Sequence, residues 1–343
     1  MYDLVVVGAG PVGSFLSWKF SEKGNRVLLL ERDVVGEPLK CTGHISKELF
    51  NFIPYNEDII QNEIERGVFH NNGKSYVFGD GKIQSYVVDR TGMDRFIAEK
   101  AVESGVELKN ERFEGLRRGD DEILVMTDEG TYQTRMVAGC DGPMSDVRRS
   151  VNLPEPGMFL QGIFTKRRGV ENKREVDIYL EASEDFFGWE VPENEKTEYG
   201  LATSLGKNAR DMLERFSRSQ NFEVKEIHSG LIPLLPPRRT VTRGIFLCGD
   251  AAAQVKPFTG GGVIYGLTSA LIASRVIDPK RPETSKLYEK AWRHKLGREI
   301  FLGNQIRKIY SLPSSIRKMF LGLGERISGN SQMDRPSTLF RLP

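Results

Sequence analysis

The stretch YDLVVVGAGPVGSFLSWKFSEKGNRVLLLERD, residues 2–33, decides the fold. An apolar strand, a glycine-rich turn, an amphipathic helix and a second apolar strand follow one another, which predicts a βαβ unit. Its glycines are spaced G-x-G-x-x-G, for a tight turn, close approach of a pyrophosphate and helix–strand packing. An acid ends the second strand, where it can accept ribose hydroxyls. The predicted dinucleotide contacts are Gly8, Gly10, Pro11, Val12, Gly13, Glu31 and Arg32.

Two later segments favour a flavin dinucleotide over a nicotinamide one. Residues 131–151 contain a predicted strand that ends at an Asp-Gly turn, followed by the start of a polar helix. Residues 243–277 form a strand that ends at Gly-Asp, followed by three glycines and a long helix. The second carboxylate can accept a hydrogen bond from a ribityl hydroxyl, and the helix N-terminus can stabilise an anion at the flavin pyrimidine. The added candidate contacts are Asp141, Gly142, Gly249, Asp250, Pro257, Gly260, Gly261, Gly262 and Val263.

Taken together, these motifs resemble the FAD-binding fold of the p-hydroxybenzoate-hydroxylase type. The segment VVDRTGMDRFIAEKAVESGVEL (87–108) fits the same pattern, with Arg90 at the end of a short strand before a helix. The resemblance implies that this arginine lies along the FAD. It covers roughly residues 1–50, 87–150 and 240–280, in the expected order. The implied cofactor is therefore FAD.

The segments between these motifs have the pattern of strands and turns. EVDIYLEA (175–182) and EYGLATSL (198–205) alternate as strands do, and NARDMLERFSRSQ (208–220) has the spacing of one amphipathic helix. We therefore expect an α/β protein in which a Rossmann-like FAD-binding domain is interleaved with an antiparallel β-sheet substrate domain. The expected divisions are 1–50, 87–150 and 240–282 for the FAD-binding domain, 51–86 and 151–239 for the substrate domain, and 283–343 for C-terminal helices.

An aromatic stretch, DFFGWEVPENEK (185–196), lies between two predicted strands. Phe187, Trp189 and Val191 alternate, so in a strand they share one face, and Pro192 then ends the hydrogen-bonded ladder. This face can either pack into the core or line a pocket for a large apolar ligand. The stretch resembles the aromatic-x-Trp-x-hydrophobic-Pro signature of the geranylgeranyl reductase family, and the resemblance implies that Phe187, Trp189, Val191 and Pro192 contact an isoprenoid.

A second segment, KCTGHISKEL (40–49), resembles the Cys-x-Gly segment of the same family. The resemblance implies that Cys41 and Gly43 lie near the flavin, and it implies an FAD-dependent reductase that saturates carbon–carbon double bonds of geranylgeranyl chains, as archaeal digeranylgeranylglycerophospholipid reductases do. Two positions depart from the family pattern, because Phe187 stands where tyrosine is common and Val191 where phenylalanine is usual. Both changes keep the wall apolar and can alter its width.

The reacting end of this enzyme would need a proton source, and two side chains are candidates. Cys41 can act as an acid or position the flavin, although a buried structural cysteine has nearly the same pattern. His44, three residues later, is an alternative donor or a loop histidine with one structural hydrogen bond. The electron donor is NAD(P)H, bound transiently, or a ferredoxin, because the chain carries a single dinucleotide fingerprint.

Composition limits the class of protein. Charged residues make up 28% of the chain and the net charge is +2, so no nucleic-acid partner is expected. The three cysteines match no zinc spacing, so no metal site is expected. No secretory leader or membrane-spanning run is found, which predicts a cytoplasmic protein.

The C-terminal region is locally basic, with ten Lys/Arg and three Asp/Glu between residues 286 and 326. The segment NQIRKIYSLPSSIRKMFLGLGERI (304–327) mixes apolar and basic residues, which is typical of a helix lying on a membrane surface. A capping helix pair with a solvated basic face has the same composition, so peripheral membrane contact stays one of two interpretations.

Two other functions compete with the reductase. A flavin-dependent monooxygenase or halogenase of an aromatic substrate is one, since halogenases carry a similar aromatic stretch. A non-catalytic prenyl-lipid carrier that retains FAD for structure is the other. Consumption of oxygen with an aromatic substrate would favour the first, and failure of a prenyl lipid to oxidise the reduced flavin would favour the second.

Overall fold

Three β-sheets and the helices that cover them make up the fold in the computed structural model, which describes residues 1–38, 41–119, 122–169, 173–327 and 334–340. Lys40 of the KCTGHISKEL segment and parts of the predicted region 283–343 lie outside these residues. The strands are β1 Tyr2–Val7, β2 Val27–Glu31, β3 His44–Ser46, β4 Ile60–Ile64, β5 Arg66–Asn71, β6 Lys74–Phe78, β7 Ser85–Val88, β8 Glu107–Asn110, β9 Phe113–Arg118, β10 Ile123–Thr127, β11 Thr131–Gly139, β12 Met158–Arg168, β13 Glu175–Tyr179, β14 Gly188–Pro192, β15 Lys196–Ser204, β16 His228–Leu234, β17 Val241–Thr242 and β18 Ile245–Leu247. The helices are α1 Pro11–Ser21, α2 Arg90–Glu103, α3 Asp146–Ser150, α4 Ala209–Gln220, α5 Val263–Val276, α6 Ser285–Lys308 and α7 Ser314–Ile327.

The predicted βαβ unit forms the centre of an eight-stranded sheet. Strands β18, β11, β1, β2 and β8 are neighbours in that order and run parallel, with Leu4 opposite Val27 and Met136. The apolar runs of β1 and β2 are buried on both faces, as central parallel strands covered by helices must be. Helix α1 packs against α2 and α5. The Rossmann-like part of the predicted fold is thereby confirmed.

A seven-stranded sheet follows the order β16-β12-β15-β14-β13-β5-β6. Its pairs are antiparallel except β5 and β13, which run parallel, with Phe69 opposite Ile178. The predicted antiparallel sheet is therefore present, and it contains one parallel pair. Strands β5 and β13 are far apart in sequence, and a parallel pair needs such a long crossover connection. Strands β3, β7 and β4 form a separate three-stranded antiparallel sheet.

The two faces of the seven-stranded sheet have different neighbours. One face is covered by α4, whose Leu213 and Phe216 pack with Ile163 and Leu201 of the sheet. This helix agrees with the one predicted over residues 208–220. The opposite face, which carries Trp189, is turned towards the parts of the molecule that hold the dinucleotide fingerprint.

The C-terminal helices close one side of this second face. Arg317 of α7 is buried and anchors the helix: its Nη1 donates to the Leu180 carbonyl at 2.8 Å, and its Nη2 contacts Glu181 Oε1 at 3.1 Å. Asn71 of β5 donates to the Ser314 carbonyl at 3.1 Å. Among the helices within the described ranges, none is long and apolar enough to cross a membrane.

Candidate functional site

A single cavity of about 1890 Å³ receives residues from all three sheets, from the start of α1 and α5, and from the C-terminal segment 334–340. Pockets for drug-sized ligands usually have about 300–1,000 Å³. The cavity is therefore large enough for a dinucleotide and a second, elongated molecule. One part of its wall is glycine-rich and polar, and the other is an apolar sheet face.

At the polar end, the glycines of the fingerprint have separate roles. Gly8 has φ +99°, and a Cβ on Gly13 would lie 1.9 Å from the Gly8 carbonyl oxygen, so Gly13 permits close packing of α1. Gly10 has an ordinary extended conformation, and apart from Gly10 itself and its two chain neighbours, no atom of the described residues lies within 4 Å of the position that its Cβ would take. Helix α1 starts without a side-chain cap or an acid in its first turn, which leaves its N–H groups free for an anion.

The acid at the end of β2 faces the same cavity. Glu31 Oε2 accepts a hydrogen bond from the Ala9 amide at 2.7 Å, and its Oε1 accepts one from the Asp33 amide at 3.1 Å. Arg32 also lines the cavity, and its Nε lies 3.2 Å from Asp33 Oδ2. The backbone thus fixes the Glu31 carboxylate beside the glycine turn, where ribose hydroxyls were predicted.

A buried ion pair lies where Arg90 meets the cavity. The structure starts α2 at Arg90, so this residue begins the helix rather than ending the strand. Its guanidinium lies 3.0 Å from Asp94 Oδ2, one turn later. Burial raises the pKa of the Asp94 carboxyl, while the charge of Arg90 opposes that rise. Burial acts to lower the pKa of Arg90, but the charge of Asp94 and, after it, the neighbouring Cys41 side chain hold this pKa above its usual value.

The late Gly-Asp motif brings a third carboxyl group to the cavity. Burial raises the pKa of Asp250 to about 6, and the charge of Arg90 acts against this shift. A Cβ on Gly262 would lie 2.6 Å from Asp250 Oδ1, so the glycine lets the carboxyl approach the loop. Helix α5 then begins at Val263 without a side-chain cap or an acid in its first turn. Gly260, Gly261 and Gly262 line the cavity beside this helix start.

The internal Asp-Gly turn places Asp141 and Gly142 on the same wall. Asp141 Oδ2 accepts a hydrogen bond from the Val147 amide at 3.0 Å. Its Oδ1 is buried and has no hydrogen-bond partner within the described ranges. Burial raises the pKa of this carboxyl, although hydrogen bonds, first that from Ser145, oppose the rise. A buried acceptor without a partner is the kind of group that a bound ligand satisfies.

His44 lies on the cavity wall near the reacting end predicted from sequence. Its Nε2 is 2.7 Å from Ser85 Oγ. Burial lowers the pKa of His44 to about 4, and the charge of Lys256 lowers it further, while Asp334 acts in the opposite direction. The imidazole is therefore neutral at neutral pH. As a proton donor it could offer only the proton of a neutral ring.

Five of the predicted contacts do not line the cavity: Gly13, Gly43, Pro192, Gly249 and Pro257. The glycines among them permit close approach of backbone. A Cβ on Gly43 would lie 2.2 Å from the Val88 carbonyl oxygen, and one on Gly249 would lie 3.2 Å from the Val12 side chain. Pro192 ends β14, and its carbonyl accepts a hydrogen bond from Asn62 at 3.0 Å.

The apolar end is one face of the seven-stranded sheet. Strand alternation and register bring the predicted aromatic stretch together with side chains from five further strands. Phe187 stacks on Phe186 with ring centroids 4.2 Å apart and meets Tyr310 edge-on at 5.5 Å. The apolar side chains of this sheet face that line the cavity are Phe69, Phe78, Phe164, Val176, Ile178, Phe187, Trp189, Val191 and Ile232.

A carboxyl group behind this wall was missed from the sequence. Trp189 Nε1 donates to Glu198 Oε1 at 2.9 Å, and Glu198 has no exposed surface. Burial raises the pKa of Glu198 to about 8, although Lys166 and the indole N–H oppose the rise. Lys166 Nζ lies 3.9 Å from Glu198 Oε2 and pairs with Glu193. The signal was available, because Glu198 alternates with the inward Gly200 in EYGLATSL.

Two glycines that line the cavity were also missed. Gly162 of β12 and Gly230 of β16 are direct partners across the sheet. Together they leave a strip of wall without side chains, and the nearest atom to a Cβ on Gly162 would be the Gly230 carbonyl oxygen at 3.6 Å. A glycine inside a strand often marks close approach of a ligand, and that signal was present in both strands.

The chain is similar to a known protein family and to curated relatives. Residues 1–223 match the model of a family described as FAD binding domain. A digeranylgeranylglycerophospholipid reductase of Methanocaldococcus jannaschii is 30% identical, and the match covers 96% of this chain and 92% of that relative.

Comparison with solved structures shows the fold. A geranylgeranyl bacteriochlorophyll reductase-like protein of Thermoplasma acidophilum superposes with a TM-score of 0.87 at 19% identity, over 99% of this chain and 94% of that one. A flavin-dependent brominase superposes with a TM-score of 0.76 at 16% identity, over 99% and 97%. At these identities the likeness concerns the fold, which a reductase-like protein and a halogenase share.

Proposed function

Because the chain belongs to the digeranylgeranylglycerophospholipid reductase family and to the FAD-binding domain family, we propose that it saturates carbon–carbon double bonds of geranylgeranyl chains in prenyl lipids. One observation carries the proposal: a single cavity joins the dinucleotide fingerprint to an apolar sheet face. A dinucleotide in one part and an isoprenoid chain in the other would then meet without crossing bulk water.

FAD is the cofactor of this protein, and the residues at the polar end fit it. Gly10 leaves space for a pyrophosphate at the free start of α1, and Glu31 is fixed at the end of β2. Asp141 offers a buried acceptor without a partner in the described ranges, and Asp250 lies beside the uncapped start of α5. When reduced and bound, FAD supplies a hydride to one carbon of the double bond.

The protein's own contribution is orientation, exclusion of water and a proton. An isolated double bond has no carbonyl group to polarise, so alignment must provide much of the rate enhancement. Trp189 and Phe187 form a rigid wall for this alignment. We assign proton delivery to the neighbouring carbon to Cys41 or His44, which both line the cavity near Arg90 and Lys256.

The electron donor is proposed to be NAD(P)H, bound transiently, or a reduced ferredoxin. The support is the single dinucleotide fingerprint in the sequence, which FAD itself uses. Anaerobic mixing of the oxidised protein with NADH, NADPH or reduced ferredoxin, followed by flavin absorbance, distinguishes these donors. The physiological donor bleaches the flavin at the highest rate.

We further propose that the protein touches a membrane surface through α7. Its exposed apolar residues are spaced i, i+3, i+4, i+7, which places them on one side of the helix. They are Ile316, Met319, Phe320 and Leu323, with exposures of 40%, 64%, 39% and 58%. Phe320 and Leu323 also line the cavity, so this stripe adjoins its opening.

The charge around the α7 stripe suits anionic lipid. Lys318 and Arg326 of α7 and Lys74 of β6 are exposed. Lys74 lies close enough to Lys318 to lower the pKa of Lys318. Arg317, in contrast, is buried in the anchor of α7 and faces the sheet. The basic excess read from the sequence therefore overstates the charge available to a membrane. Arg326 follows Leu323 by three residues and so lies beside the apolar stripe, as cations do in helices that lie on bilayers, whereas Lys318 lies on the other side of α7.

The decisive experiment is oxidation of the reduced flavin by lipid. The protein is reduced anaerobically with one equivalent of dithionite and then mixed with a geranylgeranyl glycerophospholipid, with the saturated lipid as control. We expect flavin absorbance to return with the unsaturated lipid only, and mass spectrometry to show two added hydrogens per bond. A flavin that stays reduced would indicate a carrier, and reoxidation only with oxygen and an aromatic compound would indicate a monooxygenase or halogenase.

A further inference from the structure

A buried ion pair at the flavin end of the cavity is unused in the mechanism above. Lys256 is 3% exposed and Asp334 is 7% exposed, and the two side chains meet with Nζ to Oδ1 at 2.6 Å. Both residues line the cavity. Lys256 belongs to the loop before α5, whereas Asp334 comes from the C-terminal segment. Burying two charges together costs solvation free energy, and such pairs seldom stabilise a fold by much. A role other than stability is therefore expected for this pair.

Lys256 lies directly against the glycine loop proposed to face the flavin pyrimidine. Its amide donates to the Gly261 carbonyl at 3.0 Å, and its carbonyl accepts from the Gly260 amide at 2.8 Å. A Cβ on Gly261 would lie 3.0 Å from Lys256 Cε and 3.5 Å from its Nζ. The two backbone hydrogen bonds fix Lys256 against the glycine loop. Because Gly261 has no side chain, the Lys256 ammonium group can lie close to this loop.

The C-terminal segment is fixed in turn by two further anchors. Tyr265 of α5 donates its hydroxyl to the Asp334 carbonyl at 3.0 Å. Glu299 of α6 accepts from the Ser337 amide at 2.9 Å and from its hydroxyl at 2.6 Å. Asp334 Oδ2 is buried and has no hydrogen-bond partner within the described ranges. The carboxyl group thus holds Lys256 through one oxygen and leaves the other available.

We propose that Lys256 is a positioning cation that stabilises the negative charge gained by the flavin on reduction, and that Asp334 sets the strength of this effect by pairing with it. Uptake of two electrons and one proton leaves the ring with one additional negative charge, so a fixed cation beside it favours the reduced state. In the test below, dithionite supplies the electrons. The inference rests on the proposed placement of FAD but not on the lipid substrate.

The test is the midpoint potential of protein-bound FAD, measured by anaerobic dithionite titration with reference dyes. We expect Lys256→Met to weaken stabilisation of the reduced flavin about tenfold, which for a two-electron couple lowers the potential by about 30 mV. Asp334→Asn should shift it in the opposite direction, because the cation loses its partner charge. Lys256→Arg should stay near the wild type. Lys207→Met, which breaks the exposed pair with Glu184, is the matched control.

Opposite shifts of the two single variants support the proposal, because damage to packing would move both in the same direction. Equal-sign shifts, or no shift in both, overturn it. If Lys256→Met does not retain FAD, Asp334→Asn decides: a raised potential supports the proposal, and an unchanged or lowered one overturns it. These outcomes are independent of lipid reduction, so a protein that shows them and ignores geranylgeranyl lipids would refute the proposed substrate alone.

Discussion

At position 198 the fold buries a carboxyl group behind the indole of Trp189. Burial raises the pKa of Glu198 from 4.5 to about 8, so the folded protein holds a proton that the unfolded chain releases. The stabilising contribution of this proton is complete below about pH 4.5 and is lost as the pH rises to about 8. In this setting the protonated carboxyl can accept the indole N–H without carrying a buried charge.

We therefore expect the free energy of unfolding of the wild type to fall relative to Glu198→Gln as the pH rises through that window. The difference should approach about 1.4 kcal/mol per pH unit, because the glutamine has no proton to release. Chemical denaturation of both proteins at several pH values measures it. Parallel stability profiles would show that Glu198 titrates near its ordinary pKa.

Substitution of the single residue Trp189 tests the role of the apolar wall. Trp189→Ala should reduce kcat/KM for a geranylgeranyl lipid at least about tenfold, since a wall that loses an aromatic ring no longer aligns the chain. FAD content should be unchanged, because the indole lies in the apolar part of the cavity. The flavin absorbance of the purified variant measures its FAD content, and the rate of lipid turnover gives kcat/KM. The control is Trp18→Ala, on α1 outside the cavity lining. Loss of flavin from Trp189→Ala would contradict this placement.

Gly10 and Gly13 offer a matched pair in the fingerprint. At Gly10 the methyl group of an alanine meets no atom of the described part of the chain beyond its own neighbours in sequence, so the apoprotein should keep its stability within about 1 kcal/mol. Its methyl group would occupy space proposed for the pyrophosphate, at a cost of about 1–3 kcal/mol, or roughly ten- to hundredfold in FAD affinity. Calorimetric titration with FAD measures this. Gly13→Ala should instead destabilise the apoprotein. Unchanged FAD affinity in Gly10→Ala would place the pyrophosphate elsewhere.

At the scale of elements, α7 carries the prediction for membrane contact. Met319→Glu and Leu323→Glu should each weaken binding to anionic vesicles about tenfold or more, because each removes a large apolar side chain from the exposed stripe. Vesicle co-sedimentation measures binding. The matched control is Val102→Glu on α2, a site with 47% exposure outside the cavity lining. Equal loss in the control, or none in either α7 variant, would refute this surface.

Local sequence patterns predicted the helices and strands more accurately than they predicted which strands pair with each other. The βαβ unit and α4 follow from periodicity within one stretch of chain, and both are found where expected. The parallel pairing of β5 with β13 was not predicted, because it depends on a contact between distant segments. Arg90 was also predicted at the end of the preceding strand, but it begins α2, because the Asp89 side chain caps the helix.

At the scale of the whole molecule, the cavity joins elements of all three sheets, so its ligand should stabilise them together. FAD at one hundred times its dissociation constant should add about 2.7 kcal/mol to the free energy of unfolding. Thermal unfolding of the apoprotein and the FAD-loaded protein, followed by calorimetry, measures it. A single shifted transition is expected. Two transitions, of which FAD moves only one, would show that the seven-stranded sheet folds independently of the cofactor.

Cavity-lining residues were predicted where they belong to a local sequence motif, and residues that depend on contacts between distant segments were missed. Asp250 and the glycine loop were found from their order in the sequence. Lys256 was not, because its significance depends on Asp334, which lies far along the chain and reaches it through the C-terminal segment. Glu198 was missed because its partner Trp189 is on the neighbouring strand. Side-chain pairs of this kind depend on strand register and burial, which a local sequence motif does not reveal.

The side-chain-free strip formed by Gly162 and Gly230 has a consequence for how this protein could diversify. A wall made of backbone can be narrowed in steps as small as one methyl group, whereas a wall of packed side chains must be rearranged to change its shape. The nearest atom to a Cβ on Gly162 would be 3.6 Å away, so an alanine at this position is compatible with the fold. Descendants of this chain could thus acquire a different preference for chain thickness or branching by a single codon change, with the redox centre untouched.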